Sequence, residues 1–402
     1  MRRGTQSRLL VAFRVLQAIG GAMLPPVGMS IVRNVFEDPR ERAQAIGVFS
    51  AMFGISMALG PVLGGFLVSA ISWRAIFVVS LPVGLAAIAL TALFVRESRA
   101  PRPRRIDPVG QALVIAALAA LTYAIIEGGR VGFGAVGIVS VLALALVCFA
   151  ALVLYELRRR EPLLEMRFFT SAPFAGASAV AVCLSAALGG FLFMTTLYLQ
   201  DVRGLSPQHA GLYMLPMAMM MTVFAPVSGR LVGRFGARPS MVAGGLAVLA
   251  SGLMLTRLAP GTSVPFLLSA YAVFGFGFGL VSPPIANTAV SGMPPAQAGV
   301  AAAVATTSRQ VGITLGVAVL GTVAVSGLGG GIGRAFAEAT RPGWWIVAAL
   351  GLAVAALGYL TTSGWARDTA RRTAERLGEH EPRYLDRRGQ VAGAPGRAIS
   401  AR

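Results

Sequence analysis

Apolar residues in this chain neither alternate nor keep to one helical stripe. They run through all faces of eleven long stretches, over residues 9–32, 43–70, 74–95, 108–126, 134–155, 172–199, 208–229, 240–258, 264–286, 298–325 and 343–363. Crossing a bilayer takes about 20 mostly apolar residues, so each stretch is a candidate span. Backbone amides in lipid must be satisfied within the segment or by a closed barrel, and the alternating segments of a barrel are not found. The pattern therefore predicts an all-α polytopic membrane protein with eleven transmembrane helices.

Composition supports this reading: 55% of residues are hydrophobic, 13% are charged, and the mean hydropathy is +0.72, outside the range of soluble domains. The net charge of +19 is informative only once it is located, and all 35 basic residues are arginine. If the loop from Arg99 to Arg105 is cytoplasmic, 24 arginines fall on that side, nine on the other and two within spans, the asymmetry that orients membrane proteins. The basic residues occupy separate short loops without interleaved aromatics, which argues against a nucleic-acid partner. This threading makes the C-terminus cytoplasmic and the N-terminus external. Arg2, Arg3 and Arg8 then lie on the arginine-poor side, and Arg14 interrupts the first apolar run too early for a secretory signal. The chain is accordingly expected to begin partway through a larger protein.

The raw material for site chemistry is sparse. Cys148 and Cys183 sit alone inside spans, His209 at a span entrance and His380 in the tail, so no metal set, disulfide framework or catalytic triad can be assembled. Gly275-Phe-Gly277-Phe-Gly279 has the wrong spacing for a dinucleotide loop and follows no strand. No cofactor is expected, and the chain does not read as an enzyme.

The polar residues that do enter spans are distinctive. Arg14 lies six residues into the first stretch, where a lipid-facing arginine costs between about 3 and over 10 kcal/mol. It shares a helix face with Gln17 and Gly21, and Gly20 adjoins them. The second stretch carries Gly60-Pro61-x-x-Gly64-Gly65 and leads into Trp73-Arg74-x-x-Phe77. Glycines four apart predict close helix approach, so Gly64 is expected to pack with no room for a side chain, while Pro61 bends the helix.

Together these residues resemble the major facilitator superfamily. Arg14-x-x-Gln17-x-x-Gly20 is similar to its fourth-helix motif, and Gly60-Pro61-x-x-Gly64-Gly65 to its fifth-helix antiporter motif. Similar landmarks recur downstream: Tyr198-Leu-Gln200, Gly229-Arg230-x-x-x-Arg234-x-Gly236-x-Arg238, Pro283-Pro284 with Asn287, and Ser308-Arg309-Gln310-x-Gly312. The fourteen-span drug:proton antiporter branch is most similar, because it carries two extra helices between its six-helix halves.

The resemblance implies the organisation. Residues 1–95 form part of an N-terminal bundle, 96–107 a cytoplasmic linker, 108–155 the extra hairpin, 156–170 a connector, 171–364 a six-helix bundle and 365–402 a cytoplasmic tail. It also implies that three family helices precede Met1, and with them an acidic residue. Gly233 stands where the gating loop of Gly229, Arg230, Arg234, Gly236 and Arg238 would carry aspartate.

The implied function is proton-coupled export of small hydrophobic or amphipathic compounds across the plasma membrane by alternating access. The partners would be the lipid bilayer, a greasy substrate and protons. The alternative is a non-transporting membrane remnant. Phe191, Tyr198, Gln200 and Asn287 are candidates to line a substrate cavity. Glu127, Glu156 and Asp201 lie at helix ends and read as interface residues rather than proton carriers.

Overall fold

The computed structural model describes residues 2–36, 38–95, 107–159, 166–290, 298–326 and 334–378. Residues 96–106 of the expected linker, 160–165 of the connector and 379–402 of the tail lie outside the described residues. The chain is helical throughout the described segments, without a strand among them. The helices are α1 (Arg2–Val35), α2 (Pro39–Ala70), α3 (Ala75–Val78), α4 (Ser80–Phe94), α5 (Pro108–Val131), α6 (Val136–Arg158), α7 (Ala172–Leu197), α8 (Pro207–Tyr213), α9 (Leu215–Phe235), α10 (Ala237–Leu255), α11 (Val264–Val290), α12 (Ala298–Ser326), α13 (Arg334–Thr361) and α14 (Gly364–Gly378).

Every predicted stretch falls in helix. Nine described helices are long and apolar enough to cross a membrane, and α1 and α2, of 34 and 32 residues, precede them. Helix α1 begins at Arg2 rather than Leu9, so Arg14 lies twelve residues inside it, about 18 Å along the axis. The stretch expected over 208–229 is broken at Met214, because Pro216 has no amide hydrogen to continue the ladder of α8.

Helix starts follow local chemistry. A capping side chain followed by proline opens α2 (Asp38-Pro39), α5 (Asp107-Pro108) and α8 (Ser206-Pro207), satisfying exposed amides while fixing the first helical φ. Asp38 accepts from the amides of Arg40 at 2.7 Å and Glu41 at 3.1 Å. Those amides hold its carboxyl below the ordinary carboxylate value. Helix α9 ends at Gly236, whose φ of +80° only glycine adopts without strain.

The core lies among α7 to α13. Helix α12 packs along α7, α13 along α10, and α11 against both α9 and α10. Phe191 is stacked on Phe274 with ring centroids 4.2 Å apart and meets Tyr271 and Trp344 edge-on at 5.3 and 5.9 Å. All four rings are buried. Helices α5 and α6 form a hairpin that touches this bundle through α5 and α12. Helix α14 tucks under α7, where Thr369 Oγ1 accepts from the Ala172 amide at 3.0 Å and the Thr170 and Thr373 hydroxyls are 3.1 Å apart.

Candidate functional site

The bundle of α7–α13 meets the N-terminal helices along α2. Helix α2 lies against α9 and α8 through three glycines. A Cβ at Gly47 would stand 3.2 Å from the carbonyl oxygen of Ala225, at Gly54 2.6 Å from Thr222 Oγ1, and at Gly65 2.7 Å from the backbone of Gln208. Spacings of seven and eleven residues return to nearly one azimuth on a helix of 3.6 residues per turn. The three positions therefore make one stripe on which the backbones of α2 and its neighbours approach closely.

Gly60 and Gly64 point elsewhere. Nothing lies within 4 Å of a Cβ built at either position, and Gly60 is exposed. The expectation that Gly64 has no room for a side chain is not met, because the seam is formed by the azimuth of Gly54 and Gly65, some 80–140° away. Pro61 lies within α2.

Arg14 and Gln17 are on one face of α1, with the guanidinium donating to Gln17 Oε1 at 3.3 Å. The same guanidinium sits 4.5 Å above the ring of Phe77, which meets Trp73 edge-on at 6.0 Å, while Arg74 lies 4.8 Å over the Trp73 ring. Two motifs more than fifty residues apart are thus one cation–aromatic cluster, in which the ring faces take up positive charge that lipid would not solvate. Gly20 has open space around its Cβ position.

Arg309 and Gln310 lie on α12. Gln310 is exposed, Arg309 is half-buried, and its Nε is buried without a hydrogen-bond partner. The helix that carries them is locked to α7 by glycines on both sides. A Cβ at Gly312 would be 2.5 Å from the Val182 carbonyl oxygen, and one at Gly189 2.6 Å from that of Ile313. This rigid seam holds Arg309 in place, whereas among the described residues Arg14 meets Gln17 and Phe77.

The sequence pattern of the Major Facilitator Superfamily matches residues 4–317. The chain belongs to that family. Among its relatives, the multidrug resistance protein Stp of Mycobacterium tuberculosis is 36% identical over 315 residues, covering 78% of this chain and 58% of Stp. The tetracenomycin C resistance and export protein of Streptomyces glaucescens is 35% identical over 334 residues, covering 83% of this chain and 62% of that protein. The methylenomycin A resistance protein of Streptomyces coelicolor is 34% identical over 318 residues, covering 78% and 66% respectively. The chain spans about three fifths of the length of these curated relatives. It is a multi-pass membrane protein of the major facilitator fold.

Within that fold the expected cavity residues separate. Phe191 and Tyr198 are fully buried and present no surface to a cavity in this conformation. Phe191 belongs to the aromatic core. The Tyr198 hydroxyl donates to the Ala259 carbonyl at 2.7 Å and accepts from Arg203 Nε at 3.1 Å, and Arg203 also donates to the Thr262 carbonyl. Tyr198 thereby ties the turn after α7 to the α10–α11 loop. Gln200, in a π-helical turn over Tyr198–Val202, and Asn287 on α11 are half-buried.

The gating-loop residues also divide. Gly229 is buried against Gly47, Arg230 and Arg234 are exposed, and Arg238 lies 3.7 Å over the Tyr359 ring. Sequence reasoning missed Gly47 and Gly54 as seam residues, although their spacing to Gly65 carried the signal. It also missed Asp107, which is buried at the base of the α5–α6 hairpin and pairs with Arg159 at 2.7 Å. Glu156 is buried beside it. A Cβ at Gly110 would stand 2.6 Å from Asp107 Oδ2 and 2.7 Å from Glu156 Oε1.

Proposed function

We propose that this protein exports small hydrophobic or amphipathic compounds across the plasma membrane, exchanging them for protons by alternating access. The observation that carries the reading is family membership together with relatives named for multidrug, tetracenomycin C and methylenomycin A resistance. The geometry supports it physically. Alternating access needs two bodies that rock about a narrow contact, and the glycine stripe of α2 on α8 and α9 is a close, smooth contact of that kind.

In this reading Arg14, Gln17 and Gly20 on one side and Arg309 and Gln310 on the other supply the polar groups of the path, with Asn287 and Gln200 as cavity candidates. Gly60, Pro61, Gly64 and Gly65 shape the moving helix. The arginine asymmetry supports a cytoplasmic C-terminus and a cytoplasmic Gly229–Arg238 segment.

The test is accumulation of a fluorescent drug in cells lacking their own pumps. Cells making the chain should accumulate less drug, and a protonophore should abolish the difference. Equal accumulation with and without the chain, at verified membrane abundance, would overturn export by this chain.

A further inference from the structure

At one end of the α2–α9 seam the helices part around an opening of about 810 Å³, lined by Arg40 and Gln44 of α2 and by Arg230, Gly233, Arg234 and Phe235 of α9, among others. Three arginines from two helices line it, and no carboxylate is among the described lining residues. The neighbouring acids are placed otherwise. The Asp38 side chain caps α2 through the amides of Arg40 and Glu41, and Glu41 is exposed on α2 without lining the opening. Asp107 pairs with Arg159 at the base of the α5–α6 hairpin.

Guanidiniums gathered without a counter-charge repel one another and raise the local affinity for anions. Arg40 lies in the first turn of α2, whose free amides and macrodipole add partial positive charge at the same end. Gly233 leaves the floor of the opening bare, with nothing within 4 Å of its Cβ position. The planar fork of arginine matches phosphate oxygens in pairs, which a single point charge does not.

We propose that this cleft is a phosphate-binding site in which one anionic group bridges Arg40 of α2 to Arg230 and Arg234 of α9. Immediately inside the cleft, Gly47 meets Pro226 and Gly229, so a bound anion clamps the helices where their backbones first touch. The phosphate can come from an anionic phospholipid headgroup or from solution. The inference concerns this cleft alone and stands whether or not the chain exports drugs.

The experiment reconstitutes the full chain in phosphatidylcholine nanodiscs with or without phosphatidylglycerol. Retained phosphatidylglycerol is counted by native mass spectrometry. In the phosphatidylcholine discs, inorganic phosphate is titrated against thermal stability. The variants are Arg230→Gln/Arg234→Gln and Gly233→Asp. The second places a carboxylate in open space and tests the charge argument without removing an arginine.

Retention of phosphatidylglycerol by the parent chain, weakened at least about tenfold in both variants, assigns a lipid headgroup site. Saturable stabilisation by inorganic phosphate that both variants lose assigns a soluble anion. Binding that is undiminished in Gly233→Asp, or absent from the parent chain with both probes, overturns the proposal. Unchanged elution and helix content of Gly233→Asp separate loss of the site from loss of the fold.

Discussion

Helices α4 and α7 are both apolar and both belong to spans of membrane-crossing length, yet their surroundings are opposite. In the α7 span 72% of an 18-residue apolar window is buried against protein, whereas in the span containing α4 none is, although its mean hydropathy is the higher of the two. In α4 the side chains are mostly leucine, valine, isoleucine and alanine, with none buried. In α7 the run Ser185-Ala-Ala-Leu-Gly189-Gly190 is buried throughout. Lipid is as apolar as leucine, so hydrophobicity does not drive one span against another; close backbone approach over small residues does. The more hydrophobic helix is therefore the one that faces away from protein.

The comparison breaks most visibly in the aromatic core. Phe191→Ala should cost about 3–5 kcal/mol through the cavity left among Phe274, Tyr271 and Trp344. On α4, Leu85→Ala should stay within about 0.5 kcal/mol. Thermal unfolding in detergent reads both, and comparable losses at the two sites would show that α4 is packed after all.

The next largest effect separates glycines on one helix. Gly54→Leu should destabilise by about 1–3 kcal/mol through overpacking against Thr222, while Gly64→Leu, facing open space, should be close to neutral. Thermal stability ranks the pair, and a larger loss at Gly64 would place the contact face of α2 on the wrong azimuth. The smallest effect concerns the cation–aromatic cluster. A double-mutant cycle of Arg14→Met with Phe77→Leu should give a coupling of about 0.5–1 kcal/mol. A coupling of zero would leave Arg14 held by Gln17 alone.

Much of the architecture was legible in advance, for identifiable reasons. Each predicted stretch became helix because a backbone in lipid has no other local way to satisfy its amides. The starts of α2, α5 and α8, each a capping residue followed by proline, are local signals that the reading of apolar runs did not use. The pairing of Arg14 with Gln17 followed from three-residue spacing. What failed was the choice among neighbours. Gly60 and Gly64 carry the spacing of a contact motif, but the seam used Gly47, Gly54 and Gly65, since the partner helices approach from another side. Phe191 and Tyr198 read as cavity residues from their chemistry, and their partners, Phe274, Trp344 and the Ala259 carbonyl, are remote in sequence.

By itself the sequence determined the class of solvent, the positions of the helices and the family, because each depends on local runs of apolar residues, short caps and contiguous motifs. Tertiary structure alone decided which face of α2 touches α9 and that Arg14 caps the Phe77 ring. It also decided that Asp107 meets Arg159 and that Arg40 joins Arg230 and Arg234 around one opening. Each of these is an encounter between helices distant along the chain. Its direction is set by interhelical packing of small residues, a property of pairs of surfaces that no single segment encodes.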